Sequence, residues 1–193
     1  MTDAAPPVLN IANAVTAARV LLVPIFGVVL VADGGANQAL RLSAFGIFAL
    51  AALSDRLDGY LARSQHLVTD VGKIADPIAD KLLMGTALVC LSALRELPWW
   101  VTGVILVREI GITVLRLALL HRRVIAASAA GKVKTVTQAI AIGLFILPLQ
   151  DWTATVRVLA WGVMWVALAL TVVTGFDYLW RAAILRSSPA RAQ

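Results

Sequence analysis

Apolar residues run along the chain in blocks of bilayer length, separated by short polar breaks. A helix needs about 20 mainly apolar residues to cross the hydrocarbon core. Six such blocks are present, at residues 17–32, 38–53, 72–94, 98–120, 132–149 and 153–180. The first stops at Asp33-Gly34-Gly35, the second runs on into a charged stretch at Asp55, and the fourth ends at His121-Arg122-Arg123. No internal repeat, low-complexity tract or long linker divides them. The pattern predicts an all-α integral membrane protein: one six-helix transmembrane domain over 1–193, with a cytoplasmic N-terminal segment at 1–16 and a cytoplasmic tail at 181–193.

Composition agrees. The chain has 193 residues, 60% of them hydrophobic and only 15% charged. Soluble domains run near half apolar and a quarter charged, and disordered chains are poorer still in apolar residues. One cysteine, Cys90, excludes a disulfide framework and reads as a small apolar core residue. The N-terminus, MTDAAPPVLN, lacks a basic stretch followed by an apolar core, so the spans themselves are expected to direct insertion.

The net charge of +6 fits loops beside anionic headgroups better than nucleic-acid binding. With the N-terminus inside, Arg63, Lys73, Arg122, Arg123, Lys132, Arg181, Arg186 and Arg191 fall on the cytoplasmic side. Only Arg41, Arg95 and Arg157 fall outside. Basic residues concentrate on the cytoplasmic side, so both termini are expected there. Trp99, Trp100 and Trp152 then mark the outer interface, and Tyr178 and Trp180 the inner one.

The acidic residues do not follow the apolar plan. Of eleven in the chain, Asp55, Asp58, Asp70, Asp76 and Asp80 crowd into one segment. An ionised Asp at a helix centre costs roughly 2.5–3.5 kcal/mol to insert, so such residues usually serve a function and have a partner. At ~100° per residue, Asp58, Gly59 and Ala62 lie within about 60° of Asp55 around a helix. Gly72, Asp76 and Asp80 form a second stripe, each within about 40° of its neighbour. A short inner loop joins the two helices, so four carboxylates are expected to meet near the cytoplasmic boundary. They would repel one another unless cations lay between them. An all-oxygen donor set suits Mg²⁺ or Mn²⁺ rather than zinc, and such ions bind phosphates. Pairing with Arg56, Arg63, Lys73 or Lys81 accounts for one such Asp, but not for four on two aligned faces.

The run 55–80 reads DRLDGYLARSQHLVTDVGKIADPIAD and fits D-x2-D-G-x2-A-R-x8-G-x3-D-x3-D without a gap. It resembles the signature of the CDP-alcohol phosphotransferases, membrane enzymes with six transmembrane helices. The resemblance implies a homodimer that uses two divalent ions and displaces cytidine monophosphate from a CDP-linked donor. Carried over by position, Asp55, Asp58, Asp76 and Asp80 would be metal ligands, with Asp80 also the general base. Thr16, Asp58, Gly59, Ala62, Arg63 and Gly72 would bind CDP-diacylglycerol. The family's early N-x5-T-x2-R pattern appears as Asn10, Thr16 and Arg19; Arg19 reads equally as a snorkelling interface anchor.

Two further segments bear on the acceptor. Val107-Arg108-Glu109-Ile110 with Arg116, and Gly131-Lys132-Val133-Lys134-Thr135, together with DPIADK at 76–81, resemble the branch of the family that takes glycerol 3-phosphate. A phosphorylated acceptor requires cations for its phosphate, and Arg108, Arg116, Lys132 and Lys134 would supply them. The alternative for Arg108 is a structural pair with Glu109 or an aspartate. An inositol phosphate acceptor at the same Asp site is the nearest alternative reaction. A cation-coupled transporter would also place Asp in a membrane, but such proteins often show repeats, and none is found here. His66, His121, Trp161 and Trp165 carry no chemical signal of this kind. The expected setting is the cytoplasmic membrane, multi-pass, with the active site toward the cytoplasm.

Overall fold

The computed structural model describes the backbone of residues 11–64, 70–119, 129–148 and 154–187. Side chains at 11–13, 55–64, 70–77, 116–119, 129–130, 181–183 and 185–187 lie outside the description. The described residues form six α-helices and one 3₁₀ turn. The helices are α1 (Ile11–Val31), α2 (Gln38–Ser64), α3 (Asp70–Ala93), α4 (Trp99–Leu119), α5 (Ala129–Ile146) and α6 (Ala154–Ser187). Each apolar block of the sequence therefore becomes one helix.

The ends differ where local chemistry overrides hydropathy. α1 begins at Ile11, inside the segment read as an N-terminal extension. α2 continues through Asp55 and Asp58 to Ser64, because the charged stretch lacks a strong helix breaker. α6 extends to Ser187, seven residues into the expected tail; Arg, Ala and Leu favour helix there as strongly as in the apolar part.

Between α1 and α2 the chain turns at Ala32–Gly35, where Asp33, Gly34 and Gly35 all take positive φ, of 54°, 62° and 74°. Gly is the residue that tolerates this conformation. Gly35 is further confined: a Cβ there would come 3.0 Å from Leu94. Asn37 then caps α2, its Oδ1 accepting from the backbone N–H of Ala39 at 3.0 Å and Leu40 at 3.2 Å. The end of α3 closes with Glu96 N–H donating to Leu91 C=O and Arg95 N–H to Ser92 C=O. That is the paired bonding of a Schellman motif, with Arg95 rather than Gly in the left-handed position, at φ 62°.

The helices gather into two compact units. One comprises Met1–Leu97 with Ile142–Thr153, the other Pro98–Ala141 with Ala154–Gln193. In the first, α1 packs on α2 and α3, and α2 packs on α3. Phe26 and Phe48 meet there at 5.8 Å between ring centres. Gly27 brings α1 close to α3, since a Cβ would stand 3.1 Å from Thr86. In the second unit α4 packs on α6, and Trp100 and Trp165 lie 5.7 Å apart.

Length and composition qualify two segments as membrane-crossing by themselves, Ala14–Gly35 and Ala154–Trp180. Leu21, Val28, Val173 and Phe176 are among the large apolar side chains these segments leave exposed.

Candidate active site

In the first unit the inward faces repeat with a three-then-four spacing. On α1 the buried positions are Thr16, Arg19, Val23, Phe26 and Leu30, an arc of about 80° around the helix. Thr16 and Arg19 thus begin an otherwise apolar inward stripe. Arg19 is 1% exposed, which is packing against protein and not the snorkelling that the sequence allowed.

On α2 the buried stripe is Arg41, Ala44, Phe48 and Ala51. Continued along the helix, the same spacing reaches positions 55, 58 and 62. All seven positions fall within an arc of about 100°. Asp55, Asp58 and Ala62 therefore stand, by register, on the face that is buried one turn earlier. On α3 the buried Ala79, Leu83, Ala87 and Leu91 share an arc of about 120° with positions 76 and 80. Asp80 is half-buried. The side chains of Asp55, Asp58, Gly59, Ala62, Arg63, Gly72 and Asp76 lie outside the described residues, although their backbone positions on α2 and α3 are given. Among the described residues no group of three His, Cys, Asp or Glu comes together.

At the far end of α2 the structure holds a contact that hydropathy did not single out. Arg41, counted in the sequence as an ordinary outer charge, is 1% exposed. Its Nε donates to the Ile146 carbonyl at 3.0 Å and its Nη2 to the Phe145 carbonyl at 2.7 Å. Its Nη1 pairs with Glu96 at 2.7 Å. The last turn of a helix leaves carbonyls without intrahelical donors, and here Arg41 satisfies two of them on α5. A cation in the inward stripe of α2 was the available signal.

In the second unit the expected acceptor cations separate into groups. Lys132 is exposed, and the side chain of Arg116 lies outside the described residues. Lys134 is buried, 4% exposed, and donates to Glu109 Oε1. Arg108 is partly buried, with Nη1 donating to the same Glu109 oxygen at 3.1 Å and Nη2 to Thr174 Oγ1 at 2.8 Å. Its Nε is buried without a hydrogen-bond partner among the described residues. Arg108 also lies against Gly175, where a Cβ would stand 3.2 Å from its Cγ. The structure thus joins Arg108 and Lys134 through one carboxylate. Thr174 and Gly175 were not anticipated; their one signal is a polar, small pair inside the apolar run LTVVTGF.

Comparison with known proteins agrees with these features. The CDP-alcohol phosphatidyltransferase family profile matches residues 9–173. A probable phosphatidylglycerophosphate synthase of Mycobacterium tuberculosis (strain H37Rv) is 51% identical over 175 residues, covering 91% of this chain and 82% of its own. A CDP-diacylglycerol–glycerol-3-phosphate 3-phosphatidyltransferase of Bacillus subtilis (strain 168) is 37% identical over 179 residues, 88% of this chain and 93% of its own. An enzyme of that same name from Rickettsia felis is 34% identical over 171 residues, with the same two coverages. A profile spanning most of the chain, with the aspartate signature in register with the buried faces of α2 and α3, makes this protein a member of the CDP-alcohol phosphatidyltransferase family.

Proposed function

We propose that the protein transfers a phosphatidyl group from CDP-diacylglycerol to glycerol 3-phosphate, giving phosphatidylglycerol phosphate and cytidine monophosphate. The observation that supports this reading is the helical register of α2 and α3, in which positions 55, 58, 76 and 80 continue the spacing of the buried stripes Arg41–Ala51 and Ala79–Leu91. Relatives of 37% and 34% identity bear the name of this reaction and support the choice of acceptor.

Family members are generally dependent on divalent metal. The residues present suit one: four hard oxygen donors, spaced by three on α2 and by four on α3, on helices that pack together. Asp55, Asp58, Asp76 and Asp80 would hold two Mg²⁺ or Mn²⁺ ions, which when bound offset the charge of the donor's pyrophosphate. Thr16, Asp58, Gly59, Ala62, Arg63 and Gly72 bind the donor, the small residues leaving room for the nucleotide against the backbone. Arg108, Arg116, Lys132 and Lys134 take the acceptor's phosphate. Asp80 removes the proton from the acceptor hydroxyl, whose oxygen attacks the β-phosphorus. The bond from that phosphorus to the bridging oxygen breaks, and cytidine monophosphate leaves. Rate enhancement comes from positioning and electrostatics, without a covalent enzyme intermediate.

The same proposal places all six helices across the cytoplasmic membrane as one catalytic domain, in a homodimer with both termini and the active site on the cytoplasmic side. The shortest, α5, has 18 residues, or ~27 Å at 1.5 Å per residue, close to the ~30 Å of a bilayer core.

The test supplies purified full-length protein with CDP-diacylglycerol and each labelled acceptor in turn. Cytidine monophosphate release with glycerol 3-phosphate is expected. Release with inositol phosphate alone would transfer the reading to that acceptor, and release with neither would overturn it.

A further inference from the structure

Glu109 belongs to neither the aspartate signature nor the set of acceptor cations, yet it holds two of those cations. Its Oε1 accepts from Lys134 on α5 and from Arg108 Nη1, its neighbour on α4. Arg108 is then fixed at its other arm by Thr174 on α6. The Thr174 hydroxyl donates to the Leu170 carbonyl at 2.6 Å, so its lone pairs are left to accept from Arg108. Three helices are tied through one carboxylate and one guanidinium.

We infer that Glu109 is a positioning residue that sets the spacing of Arg108 and Lys134 for a phosphate monoester. This rests on the reading that those two cations take the acceptor's phosphate. Two cations on different helices, one buried and one partly buried, repel and separate when no anion lies between them. With Glu109 in place the trio still carries one net positive charge, and the guanidinium keeps N–H groups that Glu109 and Thr174 do not use. Its planar fork and the point charge of Lys134 are then held ready for the oxygens of one dianion. The arrangement selects a phosphorylated alcohol over an uncharged one, because the hydroxyl of a neutral acceptor cannot replace the charge that both cations require.

The experiment measures KM and kcat for both substrates, in the full-length enzyme, by cytidine monophosphate release. Glu109→Gln is expected to raise KM for glycerol 3-phosphate about tenfold while KM for CDP-diacylglycerol stays within about twofold, the pattern of a lost acceptor interaction. Glu109→Asp, which keeps the charge, is expected to recover part of the loss. Thr174→Val removes the other anchor of Arg108 with little change of shape, and keeps the inference testable if Glu109→Gln does not fold. It is expected to raise acceptor KM about threefold. An unchanged or lowered acceptor KM in both variants would overturn the inference, as would parallel losses for both substrates without rescue by Asp. Arg108→Ala and Lys134→Ala separate the two levels. If neither raises acceptor KM, the phosphate reading itself fails; if they do and Glu109→Gln does not, only the positioning role fails.

Discussion

Replacing Arg41 with Met should cost more stability than any other single change at the α2–α5 contact. The side chain is buried and uses all three guanidinium nitrogens, on the carbonyls of Phe145 and Ile146 and on Glu96. Met fills most of the volume but donates nothing. Each buried carbonyl that loses an Arg41 N–H costs up to ~1–3 kcal/mol. The lost pair with Glu96 adds less, because at 21% exposure that carboxylate can recover water. The sum is about 2–6 kcal/mol, a span that contains the ~3–5 kcal/mol typical of breaking a buried pair from one side. Glu96→Gln keeps a hydrogen-bond acceptor for Arg41 and leaves both carbonyl bonds, but removes the charge facing a buried guanidinium, so about 1–2 kcal/mol is expected. Thermal unfolding in one detergent, followed by loss of helical circular dichroism, should rank wild type, Glu96→Gln and Arg41→Met in that order, with the larger gap at the last step. The position lies 14 residues before Asp55, ~21 Å along the helix, so the folded fraction should keep its KM for both substrates. Equal losses for the two variants would refute the assignment of the carbonyl bonds as the main contribution.

Asp80→Asn should lower turnover by at least ~10²-fold, the usual worth of a general base, with donor binding by equilibrium titration largely kept; ordinary turnover would remove Asp80 from that role. Chelation with EDTA should silence the enzyme and added Mg²⁺ or Mn²⁺ restore it, read as cytidine monophosphate release; activity that survives exhaustive chelation would exclude the metal reading of the four aspartates. Gly175→Ala places a methyl 3.2 Å from Arg108 Cγ, and the small displacement this demands should raise acceptor KM about threefold with donor KM unchanged; an equal effect on both substrates would show that the glycine serves packing only.

What the chain discloses before folding depends on the range of the interaction. Hydropathy is local, and it located all six helices; it erred at Ile11 and Ser187 because helix propensity continues where apolarity stops. Register is also local. The spacing of Asp55 with Asp58 and of Asp76 with Asp80 could be read directly, and the buried stripes of α2 and α3 run into it. Pairings between helices are not local. Glu109 and Lys134 are 25 residues apart, Arg108 and Thr174 are 66, and Arg41 and Ile146 are 105. No periodicity within one helix specifies the rotation of another against it. Arg41 therefore looked like an ordinary outer-side charge, and Glu109 like one alternative partner for its neighbour.

The same distance separates two kinds of buried cation that look alike in a sequence. Arg41 and Arg108 each stand in an apolar segment and each pair with a glutamate. Arg41 spends every nitrogen, two of them on carbonyls that belong to a helix end and move only if the helix moves. Such a cation is satisfied by the fold, and a ligand offers it nothing that it lacks. Arg108 spends its two terminal nitrogens on side chains and leaves Nε buried without a hydrogen-bond partner among the described residues. A buried donor without an acceptor costs free energy in the resting protein, and an anion that reached it would return that cost as binding. The first arrangement stabilises α2 against α5; the second is the one expected of a group that waits for a phosphate.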